Sequence, residues 1–134
     1  LNVFISMKKM SEGDPGRAAA AALTWDWAKN VFVFDEDIDV YNPTEILWAL
    51  ATRVQPHRQI SIIGEIMRGS LIDPSMEQPR KTSAMIVDAT KPLDRPFSPV
   101  SKCPDEALAR IKLEDFVSGE VLQHIPADRT TYWA

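Results

Sequence analysis

Apolar and polar residues fall in blocks along this chain, and the blocks predict its elements. Residues 2–7, Asn-Val-Phe-Ile-Ser-Met, are β-branched and aromatic and predict a short buried strand. Residues 8–16 are polar and carry Gly13, Asp14, Pro15 and Gly16, so they predict a loop in which Ser11 or Asp14 is placed to cap a helix. Residues 17–29 carry an alanine run from Ala18 that ends in Leu23, ahead of Trp25 and Trp27, and their propensity predicts that helix. Its small side chains suit close approach to a sheet. The uninterrupted apolar run Val31 to Phe34 predicts a second, buried strand, which breaks into Asp35, Glu36, Asp37 and Asp39. Asn42, Pro43 and Glu45 then form a helix-start signal: a cap, a proline at the first helical position and a capping-box partner. Residues 43–53 predict a second helix with Ile46, Leu47, Leu50 and Val54 on one apolar face, widened by Trp48 and Ala49. Residues 60–63 predict a third strand.

Strand, helix, strand, helix, strand with short connections predicts a parallel sheet. Residues 64–82 hold Gly69, Pro74 and Pro79 around the apolar pair Leu71-Ile72 and predict a long loop. A loop of that length in a compact domain is usually functional or partner-bound. Residues 83–89 predict a fourth strand. Four prolines between 91 and 104 predict an extended segment that cannot pair centrally. Residues 105–116 predict a helix with Leu108, Ile111, Phe116 and Val117 on one face, and 121–134 form an apolar tail ending in Tyr132 and Trp133. The expected fold is α/β: a three-layer sandwich with a mainly parallel sheet, the long loop 64–82 and a C-terminal helix and tail. One domain is expected over 1–134, with its core in 1–104 and 105–134 packing on a partner subunit.

Composition narrows the function. A chain of 134 residues with 45% hydrophobic and 25% charged content is ordinary for one globular domain. A net charge of −4 argues against sequence-independent binding of nucleic acid, which needs clustered Lys and Arg. The single cysteine, Cys103, excludes an internal disulfide framework and a Cys-rich zinc site, and reads as a small residue in a proline-flanked loop. No apolar stretch reaches the ~20 residues of a membrane span, and the segment Val3 to Ile5 is too short for a signal peptide. A cytoplasmic protein is expected. The chain opens on Leu1 and directly in a strand-like run, the start expected of a domain cut from a longer polypeptide or left by processing.

Candidate chemistry is sparse. Asp35, Asp37 and Asp39 have the spacing that opens a calcium loop, but such a loop needs Gly at its sixth position and Glu at its twelfth, where this chain has Val40 and Ile46. A strand ending in two spaced aspartates also suits Mg²⁺ or Mn²⁺ in a transferase. The competing structural reading has these acids cap the helix, accept backbone N–H groups and meet Lys or Arg from neighbouring elements. His57 and His124 have no second His or Cys close in sequence, so neither builds a triad or a zinc site. Gly13 and Gly16 lack the dinucleotide fingerprint. The helix start beside Lys8, Lys9 and Arg17 could hold an anion, although a solvated basic face is the blander account. Read residue by residue, the chain has no self-sufficient active site.

The segment Phe34 to Val40, followed by Ile46-Leu47-Trp48-Ala49-Leu50-Ala51-Thr52-Arg53-Val54-Gln55-Pro56, resembles the C-terminal domain of the UbiD family of prenylated-flavin decarboxylases. Three more segments fall in that family's order: Ser6-Met7-Lys8-Lys9 with Pro15-Gly16, Leu71 to Ser75, and Lys81 to Pro92. The resemblance spans roughly 3–97. It implies a parent enzyme that decarboxylates an aromatic or α,β-unsaturated carboxylic acid, reversibly and without oxidation. It also implies that prenylated FMN, a divalent metal (Mn or Mg) and K⁺ sit with the catalytic Glu-Arg-Glu set in preceding domains. No catalytic, cofactor-binding or metal-binding residue carries over to this chain, and none of these groups is expected on it alone. The implied role is a C-terminal domain or subunit, inactive alone, that builds a homo- or hetero-oligomer with a larger flavin-binding chain and closes part of the substrate cleft. No nucleic-acid partner and no membrane span are expected. The substrate-cleft candidates are Met67, Leu71, Ile72 and Asp73, unless these residues plug the domain's own core. The oligomer-contact candidates are Val121, Leu122, Tyr132 and Trp133. Two alternatives stand beside this reading: an assembly module without catalysis, and a divalent-metal-dependent transferase fragment using the Asp-rich turn.

Overall fold

The fold is seen in a computed structural model that describes residues 1–68, 73–76, 81–99, 101, 103–112 and 115–123, with backbone alone for 65–68, 105 and 122. Its elements run β1 (Asn2–Met7), α1 (Asp14–Ala22), β2 (Asn30–Asp35), α2 (Pro43–Arg53), α3 (Pro56–Gln59), β3 (Ile60–Arg68), β4 (Lys81–Ala89), α4 (Asp105–Leu108) and α5 (Gly119–Leu122). The chain divides into two compact units, Leu1–Phe97 and Ser98–Ala134. The first holds the sheet with α1 to α3, and the second holds α4 and α5.

The strand order is β1-β2-β4-β3. β2 is central because its run of apolar side chains can be buried on both faces, and Val31, Val33 and Phe34 are fully buried. It pairs in parallel with β1, Val31 opposite Val3, and with β4, Phe32 opposite Val87. On one face Val31, Val33 and Ala84 pack against Ala19 and Leu23, joined by Val3, Ile5 and Ile86. On the other, Phe34 and Ala89 pack against Ala49 and Ile38, joined by Ile46 and Leu50. The result is three layers: α1, sheet, α2. Ala19 and Ala49 have no exposed surface, so a small side chain sits at each closest helix–sheet approach. Phe4 stacks on Phe32 across β1 and β2, centroids 5.2 Å apart.

Several expectations need correction. The sheet is mainly parallel, but β3 runs antiparallel to β4 at the edge, with Ile60 opposite Val87 and Ile62 opposite Met85. The loop expected over 64–82 is shorter, because β3 continues to Arg68 and β4 begins at Lys81. The pairing takes the backbone through Gly64 by a register shift between Ile63 and Met67. The first helix is Asp14–Ala22, and residues 23–27 turn away from it. On α2 the inward stripe is Ile46, Ala49, Leu50 and Arg53, whereas Leu47 is 66% exposed. The continuous helix expected over 105–116 is only a single turn, α4, with 109–110 in a turn.

Candidate functional site

The carboxyl ends of β1, β2 and β4 lie on one edge of the sheet, where ligands meet open α/β folds. The acidic turn after β2 is built there. Asp39 Oδ1 accepts the Tyr41 N–H at 2.9 Å, and Asn42 Oδ1 caps α2 by accepting the Thr44 N–H at 3.0 Å. Glu45 reaches back past the capping-box position to the Asp39 N–H, at 2.8 Å. The last turn of α2 then brings Arg53 against the same turn. Arg53 Nη1 donates to Asp35 Oδ2 and Asp37 Oδ1, and Nη2 donates to Asp37 Oδ2, each at 2.9 Å. After β4, Lys91 completes the cluster: its N–H donates to Asp35 Oδ2 at 2.7 Å and its Nζ to Asp37 Oδ2 at 2.8 Å.

Arg53 is 4% exposed. Its guanidinium lies near the rings of Trp48 and Phe97, 5.2 and 6.0 Å from their centroids. Among the described residues its buried Nε meets no hydrogen-bond acceptor, which the planar group tolerates because its other two nitrogens make charge-assisted bonds. The hydrogen bonds from Arg53 hold the Asp37 carboxyl down at about 2, helped by Lys91 and opposed by burial. The carboxylates of Asp35 and Asp37 are thereby committed to cations. Among the described residues no group of three or more His, Cys, Asp or Glu is arranged to hold a metal ion. A transferase metal therefore does not fit this turn.

Beside the cluster lies a cavity of about 320 Å³. Lys9 and Glu12 line it from the β1–α1 loop, Arg58 and Gln59 from α3, and Thr90 and Phe97 from the chain after β4. Lys9 Nζ donates to Glu12 Oε2 at 2.5 Å and to the Lys91 carbonyl at 3.0 Å, while Glu12 Oε1 accepts the Leu93 N–H at 2.6 Å. These bonds, that from Lys9 foremost, lower the Glu12 carboxyl pKa. Asp88 Oδ1 accepts both the N–H and the hydroxyl of Thr90. Charged and amide groups dominate this lining, with Phe97 and Pro92 as its apolar walls. That is a poor fit to a planar flavin ring, which needs extended apolar contact.

Asp73 lies elsewhere. It is 7% exposed and accepts Lys29 Nζ at 2.6 Å. Lys29 also donates to Ser75 Oγ at 2.6 Å, and Ser75 donates to Asp73 through both its N–H and its hydroxyl. Lys29 foremost, then Ser75, holds the Asp73 carboxyl at about 2. Because Lys29 leads into β2, this clasp sits at the amino edge of β2, opposite Arg53. Met67 stands opposite Thr82 in the β3–β4 ladder, and its side chain is outside the described residues. Leu71, Ile72, Tyr132 and Trp133 also lie outside them. Val121 is 52% exposed on α5, and the Leu122 side chain is not among those described. Sequence reasoning named the acids but not Arg53, Lys91 or Lys29 as their partners. The available signal was charge: each is a lysine or arginine at the end of an element beside the sheet.

Residues 1–89 match the family described as 3-octaprenyl-4-hydroxybenzoate carboxy-lyase C-terminal domain, UbiD_C. The anhydromevalonate phosphate decarboxylase of Aeropyrum pernix is 42% identical over 95 residues, covering 70% of this chain and 21% of that protein. The phenolic acid decarboxylase of Sedimentibacter hydroxybenzoicus is 43% identical over 67 residues, 50% of this chain and 14% of that one. Among solved structures, the UbiD-class enzyme HmfF from Pelotomaculum thermopropionicum, in complex with FMN, superposes with a TM-score of 0.69 at 36% identity. That superposition covers 85% of this chain and 25% of HmfF. The vanillic acid decarboxylase of Sedimentibacter hydroxybenzoicus, in closed form, also gives a TM-score of 0.69, at 29% identity, over 86% of this chain and 26% of that one. The chain thus spans about a quarter or less of the length of these relatives. It belongs to the UbiD family, as a member of its C-terminal domain.

Proposed function

We propose that this chain serves as the C-terminal part of a UbiD-class decarboxylase acting on aromatic or α,β-unsaturated carboxylic acids. It contributes assembly and one wall of the substrate cleft and is inactive alone. The observation that carries this reading is the 36% identity to HmfF over 85% of this chain, against only 25% of HmfF. The decarboxylases named among the relatives support the reaction class. The rest of the enzyme would hold prenylated FMN with a divalent metal and K⁺, and the flavin part of this reading is supported by HmfF, solved with FMN and, in an evolved dimeric form, with prFMN. The Lys29–Asp73 clasp supports Asp73 as an anchor of the cleft wall, because it ties the segment after β3 to the sheet. Among the described residues no helix is long and apolar enough to cross a membrane.

The test is a decarboxylation assay on a panel of phenolic and α,β-unsaturated acids. The 134-residue chain is assayed alone and after co-expression with a larger, flavin-binding UbiD-class region. Activity is expected only in the complex. Activity of the chain alone, or a flavin-loaded complex that turns over equally well without it, contradicts the proposal.

A further inference from the structure

The cavity beside Arg53 holds more hydrogen-bond donors than its own acceptors use. Its inner ion pairs are closed: Glu12 takes Lys9, and Asp35 and Asp37 take Arg53. Asp88 already turns one oxygen to Thr90. Arg58 and Arg95 stand apart from these pairs. Both are exposed at the mouth, and among the described residues no hydrogen bond or ion pair engages either guanidinium. Each guanidinium carries five N–H donors. The charge of Arg95 reaches Glu12, which Lys9 has already neutralised. Gln59 gives its Oε1 to the Gln55 N–H at 2.7 Å, and among the described residues no hydrogen bond from its amide NH₂ is seen. Opposed to these donors are the second oxygen of Asp88 and the exposed carboxylate of Asp94.

We propose that this cavity binds a small molecule through an oxyanion group, phosphate or carboxylate, gripped by Arg58 from α3 and Arg95 from the chain after β4. A guanidinium recognises a carboxylate or a phosphate through two parallel N–H bonds, and this cavity is lined by both Arg58 and Arg95. Phe97 supplies an apolar wall for the remainder of the molecule. The volume of about 320 Å³ suits a small metabolite, at the lower end of the ~300–1,000 Å³ common for such sites. The site occupies the carboxyl edge of β2, opposite the edge where Asp73 is anchored. It does not rest on the decarboxylase reading, and either can fail without the other.

The test is an amide-resolved NMR titration of the 134-residue chain with inorganic phosphate and, separately, with acetate, at fixed ionic strength. Saturable shifts are expected in residues 55–59 and 90–97. An Arg58→Gln/Arg95→Gln double variant is expected to bind at least about tenfold more weakly, because each charge-assisted hydrogen bond to the anion is worth that much or more. Both side chains are exposed, so the spectrum outside these segments should stay unchanged and report an intact fold. Preference for phosphate assigns a phosphate site, and preference for acetate a carboxylate site. Absence of saturable shifts with both ions, or binding unchanged in the double variant, overturns the proposal.

Discussion

Arg53 and Asp37 meet fork on fork, Nη1 on Oδ1 and Nη2 on Oδ2, both at 2.9 Å. The arginine ends α2 and the aspartate lies in the turn that precedes it, so the pair returns the chain to the sheet edge it has just left. Asp35, 14% exposed at its side chain, accepts the same guanidinium. Arg53→Met should therefore destabilise the protein by about 3 kcal/mol, because a mostly buried carboxylate loses its partner. Arg53→Lys should cost less, since it keeps the charge, though a point charge cannot serve both carboxylates in this geometry. Asp37→Asn should cost only about 1 kcal/mol, because the Asp37 side chain is 40% exposed and water screens it. Urea unfolding ranks the three, and a methionine variant as stable as the parent would sink this account of the cluster.

Acid should loosen the protein within a defined window. Asp37 and Asp73 both have carboxyls held at about 2, against 3.8 for the free side chain. A folded value below the unfolded one stabilises the native state above the unfolded pKa, and that contribution disappears as pH falls through the folded value. Circular dichroism from pH 7 downward should show little loss above about pH 4 and a steep loss towards pH 2. Asp37→Asn should flatten the part of this dependence that Asp37 carries. An identical acid transition in that variant would remove Asp37 from the explanation.

The clasp at the amino edge predicts a local effect. Lys29→Met should free the turn at 73–76, where the Ser75 N–H donates to Asp73 Oδ1 and the Met76 N–H to the Asp73 carbonyl. Hydrogen exchange of those two amides should accelerate, while that of Val33 in the core keeps its protection. Equal protection at Ser75 in variant and parent would show that Lys29 does not hold the turn.

Helix α2 offers a packing test. Ala49 is fully buried against the sheet, so Ala49→Leu should cost about 1–3 kcal/mol through overpacking. Leu47→Ala should stay within about 0.5 kcal/mol of the parent, because Leu47 faces solvent. Thermal melts of the two variants distinguish this face from the one centred on Leu47.

That contrast also marks how far the residues alone could be read. The buried strand at Val31 to Phe34 and the helix at Pro43–Arg53 were legible because an unbroken apolar run and a cap with proline are local signals. The inward face of α2 was misplaced because periodicity favoured bulky Leu47, whereas the close approach to the sheet selected small Ala49. The direction of β3 was missed for a topological reason. A helix between two strands normally carries the chain back to the opposite edge, but α2 returns to its own, so β3 starts beside Val87 and runs the other way. One signal was present: no helix was expected between the third and fourth strands, and neighbouring strands joined without a crossover must be antiparallel. The site was half legible. Asp35 and Asp37 stood out as charges at a strand end, but their commitment to Arg53 and Lys91 depends on contacts between residues 16–56 positions apart in sequence.

If this polypeptide works as part of a larger flavin-dependent decarboxylase, it should be found with the rest of that enzyme in its native state. Native mass spectrometry with an absorbance spectrum, on the protein purified gently from its own source, decides whether it is. These residues are expected to travel in an assembly that includes a larger flavin-binding region and carries a flavin absorbance band. A flavin-free assembly made of the 134-residue chain alone would contradict this.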